Sequence, residues 1–135
     1  RILRNGDSAE ARLLMGMAKR AVQDLAGGLE DLARAVALNP ELPGVHALYG
    51  QALLETGNRD RAVVELEAEL ARNPSDFEAN LVLGMLAKED QAFEKARGYL
   101  SRAIAMRPGN LSARFQLAAI HVSPGETEQA RTMLE

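Results

Sequence analysis

Two histidines, His46 and His121, and the carboxylate pairs Glu65/Glu69 and Glu67/Glu69 are the residues of this chain best suited by type to acid–base or metal chemistry. A proton relay or a metal site needs such groups brought to one point with defined partners. The rest of the sequence supplies none. The chain has no cysteine, so thiolate zinc sites, Cys-His catalysis and disulfides are excluded. There is no His-Glu-x-x-His helix, no glycine-rich phosphate loop and no Gly-x-Ser-x-Gly elbow. Glu89-Asp90 lacks the alternating ligands and closing bidentate glutamate of a calcium loop and reads as a turn. The glutamate pairs are expected to be solvated surface charge. No enzyme activity, metal or cofactor is expected.

Composition narrows the class further. The 135 residues include no Trp, three Phe and two Tyr, so a core must be aliphatic. Ala and Leu dominate, with Glu and Arg between them, which favours helix over sheet. A formal charge of −3 argues against nucleic acid, whose phosphates want a basic stripe. No apolar run approaches the ~20 residues of a membrane-spanning helix, so a soluble chain is expected. The compartment is left open, with the cytoplasm slightly favoured. The chain begins RILRNGDS with no initiator methionine, and is expected to be a piece of a longer protein.

The elements that would position any site follow from a repeat. Pro40, Pro74 and Pro108 recur every 34 residues; so do Gly16, Gly50, Gly84 and then Ala118. Leu32, Leu66, Leu100 and Leu134 keep the same step, as do Gly28, Ala62, Ala96 and Ala130. Within the second unit, Leu48, Tyr49, Ala52 and Leu53 recur at three- and four-residue spacing, the mark of an amphipathic helix. Gly50 stands inside that helix at a cost of roughly 1 kcal/mol relative to alanine. Turn-forming stretches at TGNRD and Asn73-Pro74-Ser75-Asp76 break the unit into two helices, because proline cannot continue the ladder. The pattern predicts helices at about 9–22, 25–38, 44–56, 60–72, 78–88, 92–106, 112–122 and 126–135.

These residues resemble the tetratricopeptide repeat family. Its 34-residue pattern matches Tyr49-Gly50, Leu53, Gly57, Ala62, Leu66 and Pro74 in the second unit. It matches Leu83-Gly84, Ala87, Ala96, Leu100, Ala103 and Pro108 in the third. The first unit departs most, with Lys19 in a large apolar slot and Gly28 in an alanine slot; in the second, Glu69 also takes an alanine slot. The resemblance implies an all-α, right-handed superhelical solenoid of antiparallel helix pairs. It implies units at 9–42, 43–76, 77–110 and a truncated 111–135, with 1–8 closing a preceding repeat. Gly16, Gly50 and Gly84 would then face the second helix of their own unit, letting two axes approach within about 8–10 Å.

The resemblance also implies a function. The first helix of each unit would line a concave groove that binds a protein partner. That carry-over names Leu13, Met17, Arg20, Ala47, Leu48, Gln51, Leu54, Leu81, Val82, Met85, Lys88 and Phe115. The groove would be apolar along its middle and suit a partner helix or extended peptide, with Arg20 and Lys88 orienting an acidic flank. The carboxylate clamp of chaperone-tail binders is missing: the matching positions hold Leu13, Met17, Leu48, Glu78 and Val82. The asparagine ladder of sugar-transferring relatives is missing too, since that series reads Leu14, Leu48, Val82 and Gln116. His46 and His121 fall in large packing slots and are expected to be core or half-buried. The glutamate pairs fall on the convex helix. Two alternatives to a partner-binding adaptor stay open: a self-associating structural segment, pairing through the groove or the array's ends, and a non-catalytic regulatory arm of a larger enzyme.

Overall fold

The computed structural model describes residues 7–120, and all its regular structure in that span is helical. The order is α1 (Ala9–Ala21), α2 (Leu25–Leu38), α3 (Val45–Glu55), α4 (Arg59–Arg72), α5 (Phe77–Glu89), α6 (Phe93–Met106) and α7 (Leu111–Ile120). Expected and observed boundaries agree to one residue wherever both fall inside the described span. The eighth expected helix at 126–135, His121 and residues 1–6 lie outside it.

One turn recurs between paired helices. After α1 the N–H of Gln23 donates to the Arg20 carbonyl and that of Asp24 to Lys19. After α3, Gly57 and Asn58 donate to Leu54 and Leu53; after α5, Gln91 and Ala92 donate to Lys88 and Ala87. This is the Schellman arrangement, which needs a left-handed residue just past the helix. Gln23, Gly57 and Gln91 hold it, with φ of 69°, 86° and 62°. Only Gly57 does so without a Cβ penalty.

Within each pair the glycine series sets the approach. A Cβ built on Gly16, Gly50 or Gly84 would lie 2.7, 2.9 or 2.7 Å from Cγ of Leu32, Leu66 or Leu100. Those three leucines are fully buried. Glycine is therefore kept inside three helices because the partner helix occupies the space of its side chain.

The chain divides into two compact units, Arg1–Arg72 and Asn73–Glu135. In the first, Leu32, Ala35, Val45, Ala52, Leu53, Ala62 and Leu66 form the core, with α3 packed on α2. In the second, Phe77, Leu81, Ala87, Ala96, Leu100, Ala103, Ala113 and Ile120 form one cluster, with α7 packed on α6.

Candidate partner-binding surface

Helix starts decide where the first helices point. Ser8, Asp76 and Asn110 each accept from the backbone N–H three residues on, capping α1, α5 and α7. The matching position before α3 is Leu42, and the helix instead starts from Gly44 with no side-chain cap of its own. Glu69 of α4 supplies the missing acceptor: its carboxylate accepts from Gly44 N at 3.3 Å and Ala47 N at 3.2 Å.

That bond corrects one expectation. Glu65 and Glu69 are not solvated; they are 6% and 2% exposed, while Glu67 is exposed. Glu65 Oε1 lies 2.8 Å from His46 Nδ1, and Oε2 accepts from Arg61. The other ring nitrogen of His46 lies 2.9 Å from the Pro40 carbonyl. His46 is thus a buried bracket holding the loop before α3 to α4, as its packing slot implied. The physical reason is helical spacing. Glu65 and Glu69, one turn apart, share the flank of α4 that packs against the start of α3. The signal was in the sequence: the run PELPG offers α3 no Ser, Asp or Asn cap, and Glu69 stands in an alanine slot.

The polar brackets also repeat. Arg12, His46 and Asn80 occupy equivalent places 34 residues apart. Arg12 donates to Asp31 at 2.7 Å, and Asn80 accepts from Arg102 Nε at 3.1 Å. Asp31 is 1% exposed; its Oδ2 takes no hydrogen bond in directional geometry, but the Lys19 ammonium lies 2.7 Å away as an ion pair. Burial alone would push the Asp31 carboxyl up; the Lys19 and Arg12 contacts outweigh it and hold it below its usual range. Arg12 and Arg34 hydrogen bonds likewise hold Asp7 low. Lys19 is explained as the partner of Asp31 in a slot that is otherwise apolar.

The expected groove residues separate into three groups. Ala47 and Leu81 lie in the packed interior, Leu81 within the core cluster of the second unit. Leu13, Arg20, Leu48, Gln51, Leu54, Val82, Met85 and Lys88 are half-buried. Met17 and Phe115 are exposed, as is their neighbour Leu14 at 65%.

In the first unit Met17, Arg20, Ala21, Leu48 and Glu55 line an open depression of about 260 Å³ between α1 and α3. At its mouth Arg20 Nε and Nη2 donate to Glu55 Oε1 and Oε2 at 2.8 and 2.9 Å. This fork-to-carboxylate pair holds the Glu55 carboxyl low, against a weaker upward push from burial. In the second unit α7 also touches α5, and Gln116 accepts from the Lys88 ammonium across that contact. Both cations expected to greet a ligand therefore already have partners. Among the described residues, no group of three His, Asp or Glu is placed to hold a metal ion. No described helix is long and apolar enough to cross a membrane.

The Yarrowia lipolytica peroxisomal targeting signal receptor is 33% identical over 87 residues, 64% of this chain and only 14% of the receptor. Among solved structures, MamA superposes with a TM-score of 0.85 at 18% identity, over 96% of this chain and 71% of that one. MamA from Desulfovibrio magneticus gives 0.83 at 22% identity, over 96% and 73%. The first repeat domain of Spaghetti (RPAP3), bound to an HSP90 peptide, gives 0.78 at 18% identity, over 93% and 94%. At such identities the structures speak for the shared fold. Two family models, both described as tetratricopeptide repeat, match residues 13–66 and 49–110, and residues 87–135. With matches across most of its length and helix pairs at the family's 34-residue step, the chain belongs to the tetratricopeptide repeat family.

Proposed function

We propose that this chain is a non-catalytic protein-interaction module that holds a partner peptide or helix on the apolar faces of its first helices. Residues 9–135 act as four repeat units in this reading. One observation carries it: large apolar side chains stay accessible on first helices whose neighbours are otherwise well packed. In the first unit these are Leu14 and Met17, beside half-buried Leu13 and Leu48. In the second unit they are Phe115 together with half-buried Val82 and Met85. Clustered apolar surface rimmed by polar pairs marks an interaction site. The names of two similar proteins agree in kind, one a targeting-signal receptor and one bound to a peptide. A volume of about 260 Å³ falls below the ~300–1,000 Å³ of small-molecule pockets, and suits a side chain better than a metabolite.

Affinity capture with the chain as bait tests this. Leu48→Glu with Met85→Glu should abolish partner capture while far-UV dichroism and cooperative melting persist. Met17→Glu, at an exposed position, controls for folding. Loss of the fold in the double variant with full capture by Met17→Glu would assign these side chains to packing alone.

A further inference from the structure

We propose that the depression in the first unit selects an apolar side chain flanked by a lysine or arginine of the partner, and rejects acidic segments. This rests on the partner-binding reading and names the chemistry of its ligand. Charge around the depression decides it. Arg20 is the only cation among its lining residues, and two of its guanidinium nitrogens are committed to Glu55. A ligand carboxylate would have to displace Glu55, exchanging one ion pair for another with little gain.

The other cations of α1 point elsewhere. Arg12 is engaged by Asp7 and Asp31, and Lys19 by Asp31. The outward half of the Arg20–Glu55 pair is the carboxylate: the Glu55 side chain is 40% exposed against 17% for Arg20. A carboxylate offers about four acceptor sites. Arg20 takes two, so outward-facing lone pairs are left for a partner's ammonium or guanidinium. Glu10, exposed on the face of α1 that carries Leu13, Leu14 and Met17, adds a second negative charge. The chain as a whole carries −3. The apolar floor of Met17, Ala21 and Leu48 takes the anchor, and the Glu55 lip takes the adjoining cation.

Fluorescence anisotropy on the full chain tests this with three labelled probes. Two peptides share one leucine stripe and differ only in lysine or glutamate flanks; the third is SRMEEVD, the acidic peptide of the Spaghetti complex. The lysine-flanked probe should bind about five-fold tighter than its glutamate twin at low salt, the preference shrinking as salt screens it. SRMEEVD should be weakest. Glu55→Gln should erase or invert the preference by freeing Arg20, whereas Arg20→Gln should keep it. Met17→Ser should weaken both leucine probes. Equal or tighter binding of the glutamate probe to the wild-type chain, or a preference unmoved by Glu55→Gln, overturns the charge selection alone. Binding of none of the probes overturns both the selection and the partner-binding reading.

Discussion

Glu69 shows how one side chain replaces a missing cap. An ordinary N-cap lost to alanine costs about 1 kcal/mol, because one backbone N–H loses its acceptor at a solvated helix end. Glu69 serves two N–H groups from a nearly closed position, so its removal leaves the buried Ala47 N–H and the half-buried Gly44 N–H without their acceptor. Glu69→Ala should therefore destabilise the chain by about 1–3 kcal/mol in urea unfolding, more than Asp76→Ala, and Glu69→Gln should recover part of it. Asp31 makes a pH-dependent contribution. Its folded pKa lies below the unfolded value of 3.8, so its stabilisation is complete above that value. It is lost as pH falls through the folded pKa, because the unfolded chain takes the proton first. The stability gap between wild type and Asp31→Asn should be widest near neutral pH and close progressively below pH 3.8. A gap that widened in acid would contradict the ion pairs with Lys19 and Arg12.

At the scale of helices, the glycine series can be weighed quantitatively. Gly50→Ala gains roughly 1 kcal/mol of helix propensity but places a Cβ 2.9 Å from Cγ of fully buried Leu66. Overpacking costs about 1–3 kcal/mol, so the net effect should be loss of stability. Gly98 lies in mid-helix α6 with nothing within 4 Å of a built Cβ. Gly98→Ala should gain about 0.5–1 kcal/mol. Thermal melts of the two variants should move in opposite directions; movement in the same direction would remove the close-packing account of the series. This contrast also marks what the sequence could tell. Gly50 was legible because Gly16 and Gly84 repeat it, and the prolines and leucines fix the phase. Helix boundaries were legible for the same reason. Burial of Glu65 and Glu69 was not, because a glutamate pair one turn apart reads the same on a solvated or a packed flank. The one local hint is the cap-poor run PELPG before α3, and it does not say which distant side chain supplies the missing acceptor. The commitment of Arg20 to Glu55 was hidden likewise: the two stand on different helices, 35 residues apart in sequence.

For the molecule as a whole, the question is whether its apolar faces serve a foreign partner or a second copy. Leu111 and Phe115, one turn apart on α7, are 79% and 58% exposed, which gives self-association a physical starting point. The charge pattern opposes it on the first unit. A two-fold interface presents the same patch from both sides. It would set Glu10 and Glu55 of one copy against Glu10 and Glu55 of the other, with every cation of α1 already paired. The chain should therefore keep a molar mass of 14.6 kDa in light scattering as concentration rises. Mass climbing toward a dimer, and returning to the monomer on Met17→Glu, would hand the groove of the first unit to self-association. The same climb reversed only by Phe115→Ser would place the contact on α7 and leave the first unit open for a basic, apolar-anchored ligand.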